Sequence, residues 1–135
     1  MSDPNPAPIV FTPDRAGWER LFAVIDRRDA ETFARYLTPA GEFRFGNAPP
    51  VRGRDAVRQT VASFFDLIAG CRHRLLQCWS SPPHAVCEGE VTYELTSGAT
   101  VTVPFVNVFQ LHNELIASYR IYIDNAPLFT ALNAA

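Results

Sequence analysis

The sequence predicts an α+β domain with its helices first and a long antiparallel meander after them. Three observations carry that expectation. Apolar residues recur at helical spacing in the first half of the chain. From residue 71 onward, the runs 71–80, 85–95, 99–111 and 115–124 read as strands, separated by the turn sequences SPPH, TSG and HNE. At 135 residues, with 47% hydrophobic and 12% aromatic content, the chain is one domain able to build a core.

Residues 1–11 form a proline-rich arm expected to be flexible, and 12–135 the single folded domain. Thr12 followed by Pro13 predicts a helix start, a hydroxyl cap and then a residue that needs no amide partner. Trp18, Leu21, Phe22 and Ile25 carry that first helix to about Arg28. Asp29 can cap a second, shorter helix through AETFARYL, closed by Pro39 and Gly41. EFRF is a short strand with Phe43 and Phe45 on one face. The loop GNAPPVRG, stiffened by Pro49 and Pro50, leads to a third helix that starts near Asp55. Its stripe is Val57, Val61, Phe64, Phe65 and Ile68, and Gly70 ends it.

Strand parity then sorts the side chains. Cys71, His73, Leu75, Gln77 and Trp79 share one face and Arg72 and Arg74 the other, so His73 is expected to point inward. Tyr93 is inward with Cys87, Gly89 and Val91, because Glu88, Glu90 and Glu94 occupy the opposite, solvated face. Asn107 interrupts the apolar row Val101, Val103, Phe105, Phe109 and Leu111. The opposite face of that strand, with Pro104, Val106 and Val108, is apolar too, which predicts a homodimer through the outer sheet face. The four strands should curl around the helices and leave a pocket between sheet and helix.

Composition removes several function classes. The net charge is −2, with twelve arginines and no lysine, so there is no basic footprint for nucleic acid or an anionic membrane and no Schiff-base lysine. Cys71, Cys78 and Cys87 are an odd count without framework spacing, as in a reducing compartment. A metal site assembled from Cys71, His73, Cys78, His84, Cys87 and His112 is disfavoured. Cys71 and Cys78 have opposite parity, and there is no CxxC or HxxxH pair. No metal and no cofactor are expected. MSDPNPAPIV lacks the basic-then-apolar pattern of a signal peptide, and no stretch is long enough for a membrane span, so a cytoplasmic location is expected.

Four stretches, in this order, resemble the SnoaL-like branch of the nuclear-transport-factor-2-like superfamily. They are IDRRDAETF, FRFGNAPPVRGRDAV, the mid-strand His73 and the closing YRIYIDNAPLF. The resemblance spans about residues 14–129. It implies a cone-shaped barrel, a curved mixed but mostly antiparallel sheet wrapped around three N-terminal helices. It does not choose among the isomerases, dehydratases, hydrolases, cyclases and binders that share the fold.

IDRRDAETF is similar to a segment of scytalone dehydratase, and this implies that Asp26 orients His73 as a catalytic base. A carboxylate so placed fixes the ring's tautomer. Phe45 and Ile25 stand where that enzyme has tyrosines. FGNAPPVRGRDAV resembles a loop of limonene epoxide hydrolase, with Asn47 at a water-holding asparagine. Val91 and Tyr93 replace that enzyme's essential arginine and aspartate, which argues against epoxide hydrolysis by its mechanism. In SnoaL-like cyclases an aspartate at the end of the last strand is an acid/base, and Asp124 matches it.

The combined expectation is a cofactor-independent acid/base enzyme (isomerase, cyclase or dehydratase) for a small apolar, carbonyl-bearing molecule. His73 is the base, Asp26 its orienter and Asp124 the second acid/base. Tyr93, Asn47 and Asn107 bind the oxygen, with Tyr122 and Trp18 completing the substrate-binding set. Plainer roles stand beside these. His73 can be a core histidine, Asp26 a helix cap or a partner of Arg27 or Arg28, and Asp124 a turn cap or a partner of Arg120. The alternative reading is a non-catalytic, small-ligand-binding or dimerising member of the same fold.

Overall fold

A computed structural model describes residues 6–134. The elements are helices α1 (Arg15–Asp26) and α2 (Ala30–Ala34), strands β1 (Leu37–Phe45) and β2 (Val51–Arg52), helix α3 (Arg54–Phe65), strands β3 (Gly70–Ser81), β4 (His84–Glu94), β5 (Thr100–His112) and β6 (Leu115–Ile123), and helix α4 (Ala126–Asn133). They build the expected α+β architecture around a six-stranded sheet of order β2-β1-β6-β5-β4-β3. The pairing of β1 with β6 is parallel and every other pairing is antiparallel.

Four features differ from the sequence expectations. Helix α1 is capped by Asp14, whose carboxylate accepts from the Gly17 N–H at 2.8 Å; Thr12 instead donates to Asp14 and accepts from Arg20. Pro39 and Gly41 do not close a helix. They lie where the β1–β6 register shifts between Leu37 and Glu42, a bulge that tolerates proline within a strand. The apolar run of α3 outlasts its helix, which ends at Phe65; Gly70 instead opens β3. Helix α4, which the sequence reading leaves unassigned, starts at Ala126 with Pro127 in its first turn, where the missing amide costs nothing.

Of the arm expected over residues 1–11, residues 1–5 lie outside the described residues. The remainder is laid against the domain. Ile9 N–H donates to the Arg35 carbonyl and Phe11 N–H to that of Glu114, and Phe11 is 1% exposed.

The β5–β6 hairpin turns through Asn113 and Glu114, both at positive φ (51° and 65°), the geometry that follows the twist of its strands. A second register shift, between Leu75 and Gln77 of β3, matters more for the site. The extra residue, Leu76, inverts parity beyond it. Cys71, His73 and Leu75 face inward as expected, but Trp79 turns outward and is 49% exposed, while Cys78 pairs across from buried Cys87. Gly89 lies opposite Leu75 at this bend. A Cβ there would stand 2.4 Å from the Arg74 carbonyl oxygen and 2.8 Å from the Phe105 ring. Gly89→Ala is therefore expected to destabilise the fold by about 1–3 kcal/mol, read as a lowered midpoint in urea unfolding.

Candidate active site

The segment IDRRDA positions the site. Arg27 ends α1, and Arg28 turns the chain in the left-handed region at φ 57°, its guanidinium donating to the Ile68 carbonyl at 2.9 Å. The turn brings Asp29 to the head of α2, where it accepts from Thr32 N–H at 3.1 Å and faces Arg27 at 3.4 Å. The plain roles open to Asp26, cap and arginine partner, are thus taken by Asp29. Asp26 is left to face β3. Its Oδ1 lies 2.5 Å from His73 Nδ1, its Oδ2 accepts from the His73 backbone N–H at 3.1 Å, and the Cys71 thiol approaches Oδ1 at 3.8 Å.

With Nδ1–H held by the carboxylate, the lone pair of the neutral ring is on Nε2, which makes no hydrogen bond among the described residues. The ring is stacked on Phe22 (centroids 4.8 Å apart, planes 10° apart) and meets the edge of Phe105 at 5.4 Å. Its side chain is 14% exposed and that of Asp26 27%.

His73 opens onto a cavity of about 70 Å³ between the concave sheet face and α3. The walls are mostly Phe, Ile and Val, and the polar groups on them besides His73 are Cys71, Tyr93, Asn107, Tyr119 and Thr60. Burial pushes the phenols of Tyr93 and Tyr119 up from their ordinary value, so both are neutral hydrogen-bond donors at physiological pH. Asn107 is 2% exposed, its Oδ1 has no partner, and it stands directly opposite Cys87 on the neighbouring strand. A buried acceptor left unpaired costs about 1–3 kcal/mol.

The sequence-predicted residues divide into two groups. His73, Tyr93 and Asn107 line the cavity, and Asp26 stands behind the His73 ring, outside the cavity wall. Four others do not reach it. Trp18 is 0% exposed inside an aromatic cluster with Phe11, Phe22 and Phe109, because it points from α1 into the closed end of the core. Tyr122 is 57% exposed, since Tyr119, Ile121 and Ile123 take the inward positions of β6. Asp124 follows the outward parity and accepts from Ala126 N–H at 3.0 Å, capping α4 rather than pairing with Arg120. Asn47 is exposed in the β1–β2 loop. Sequence reasoning missed Tyr119, although its inward position follows once Tyr122 is read as outward. It also missed Asn125, whose place depends on the unforeseen α4.

Asp26, Cys71 and His73 also offer ligand atoms within 4.8 Å of one another. Cys71 and His73 both already direct a hydrogen at the Asp26 carboxylate. No helix among the described residues is long and apolar enough to cross a membrane.

The family described as SnoaL-like domain matches residues 18–119. The chain belongs to the SnoaL-like family. Among curated proteins nothing matches. Solved structures with the same fold include TerC co-crystallised with polyporic acid, at 16% identity and TM-score 0.76 over 90% of this chain and 99% of that one. A protein from Jannaschia sp. CCS1 named as a SnoaL-like polyketide cyclase shares 18% identity at TM-score 0.73, over 100% of this chain and 99% of that one. An M. tuberculosis LEH-like epoxide hydrolase shares 14% at TM-score 0.70, over 87% and 86%. At these identities the likeness is one of fold.

The buried acids fix a pH signature. Burial first of all raises Cys71 and Cys87 from an ordinary 9.0 to about 12. Below pH 9.0 both the folded and the unfolded chain keep these protons, so the thiols leave stability independent of pH. Between about pH 9 and 12 only the unfolded chain releases them, and each thiol removes about 1.4 kcal/mol per pH unit. Urea unfolding at about pH 7, 9 and 10.5 is expected to give similar stabilities at the first two and a fall of several kcal/mol at the third.

Proposed function

We propose that this chain is a cofactor-independent acid/base enzyme for a small apolar carbonyl compound, with His73 as the general base. The single observation behind this reading is the His73–Asp26 pair opening onto an apolar cavity walled by neutral phenols. His73 Nε2 takes the proton from the carbon next to the carbonyl. The bonding pair moves into the carbonyl as an enolate, and the ring's new positive charge sits against the Asp26 carboxylate. Tyr93 and Tyr119 donate hydrogen bonds to the enolate oxygen. Return of the proton at another carbon is isomerisation, expulsion of a β-hydroxyl as water is dehydration, and attack on a second carbonyl is cyclisation. Ile25, Phe45 and Val91 line the same cavity without a charge, and no arginine does, so activation of water as in an epoxide hydrolase has no machinery here. The polyporic acid co-crystallised with TerC, a structural neighbour, supports a small ligand for this chain too.

The test is deuterium incorporation from heavy water into a panel of small ketones and enones, followed by mass spectrometry. The wild type is expected to label at least one. His73→Ala is expected to lower the rate by about 10²–10⁴-fold with an unchanged circular dichroism spectrum. Asp26→Asn, which removes the charge facing the imidazolium, should lower it as well. Equal rates in wild type and His73→Ala would eliminate the base. The small volume of the inner cavity, about 70 Å³, favours a second reading, a non-catalytic binder. Copurified ligand in a native mass spectrum, together with no labelling across the panel, would select it.

A homodimer through the outer sheet face belongs to the same reading. Tyr122 and Trp79 are exposed on that face beside Val106 and Val108. Light scattering is expected to give twice the chain mass of 15.0 kDa. Val108→Arg, placed across from Arg120, should give the monomer. A wild-type monomer at all concentrations would remove the proposal.

A further inference from the structure

A second compartment adjoins the cavity that His73 lines. Phe45, Thr60, Phe64 and Ile123 each line both that cavity and this second compartment, of about 420 Å³, at the open end of the barrel. In the wall the two share, the rings of Phe45 and Phe64 meet edge to face at 4.9 Å, so a ligand that spans both compartments parts this contact. The outer compartment is framed by Asn47 of the β1–β2 loop and by Asn125 and Phe129 at α4.

Asn125 occupies the N-cap of α4, where an amide oxygen ordinarily accepts from the backbone N–H of the second or third helical residue. Here it does not. The second position is Pro127, which has no N–H, the side chain makes no cap bond, and Asp124 takes the Ala126 N–H instead. The Asn125 amide lies beside the Tyr93 phenol, which lines the inner cavity. Its Oδ1 is left without a partner although the residue is only 9% exposed. Deeper in, Asn107 Oδ1 is buried and unpartnered as well. Both vacancies are therefore acceptors. No arginine lines either compartment, and the one acid on the outer wall is Asp124. An amide oxygen pairs with O–H or N–H, and a carboxylate brought there would meet acceptors without a counter-charge.

We propose that the two compartments take one elongated, non-anionic ligand carrying a hydrogen-bond donor, hydroxyl or amine, at each end. The inner donor is received by Asn107 and the outer one by Asn125. This deepens the proposed function by naming the ligand class, and it rests on the same pocket but not on any reaction.

The experiment measures affinity calorimetrically for four rigid probes: biphenyl with a hydroxyl at both ends, at one end, at neither end, and with a carboxylate at one end. The diol is expected to bind about tenfold more tightly than the mono-ol, one hydrogen bond's worth. The carboxylate should be the weakest of the four at neutral pH. Asn125→Leu should remove the diol's advantage and leave the mono-ol unchanged, with thermal unfolding confirming the fold. Equal binding of diol and mono-ol by the unaltered protein, a carboxylate as tight as the diol, an equal loss for both alcohols in Asn125→Leu, or no binding by any probe would each overturn the proposal. The two readings fail separately. Selective diol binding without labelling of any ketone removes the catalytic reading alone. His73-dependent labelling with diol and mono-ol bound alike removes this one alone.

Discussion

The carboxylate of Asp26 joins the C-terminal end of α1 to the inner face of β3. It sits at the end of the helix where the macrodipole disfavours a negative charge. What holds it there is a convergence of donors: the His73 ring, the His73 backbone N–H and the Cys71 thiol, all from one stretch of strand. Two of these are hydrogen bonds to an ionised acceptor, the stronger kind. The contact fixes where α1 lies on the sheet, which tautomer His73 adopts and which way its ring faces. The imidazole on the cavity wall has a defined orientation because this hydrogen-bonded pair has a defined geometry.

Around that contact the chain economises on polar groups. The cavity is lined mainly by aromatic and branched side chains, and its few polar atoms divide into donors on phenols and acceptors on amides. Low polarity keeps the Tyr93 and Tyr119 phenols and the Cys71 thiol protonated, so the only charge near the void is the one Asp26 carries. The unpaired oxygens of Asn107 and Asn125 work against stability, and a core of Leu or Val at those positions would be the cheaper solution for folding alone. Local rules broken inside an otherwise consistent fold are the mark of a binding site.

Strand parity made much of this legible from the sequence. Cys71, His73, Tyr93 and Asn107 were placed correctly because no bulge precedes them within their strands. Trp79 was misplaced because the extra residue at Leu76 inverts everything after it, and nothing in CRHRLLQCWS signals that step beyond Gly89 on the partner strand. The pairing of Asp26 with His73 came from a resemblance, since two aspartates three residues apart are equivalent until the left-handed Arg28 separates their directions. Asp124 and Asn47 stand away from the inner cavity for a different reason. Both were carried over by position near strand ends and loops, where side-chain direction depends on the next element, β2 for Asn47 and the unassigned α4 for Asp124.

The same comparison explains where the donors went. Ile25 and Phe45 line the cavity at the positions where the resembling dehydratase has phenols, so the α1 and β1 sides of this cavity present no hydroxyl. The phenols present are Tyr93 on β4 and Tyr119 on β6, with Asn107 between them on β5. A carbonyl in this cavity therefore finds its donors along the sheet and not along the helices. His73, on β3 beyond β4, addresses the ligand from the same curved surface. Under the proposed function, the base and the oxygen-binding groups all issue from one continuous hydrogen-bonded sheet, while the helices contribute the carboxylate behind the ring and an apolar cover. That arrangement preserves the acid/base pair while changing which face of a planar ligand it can reach.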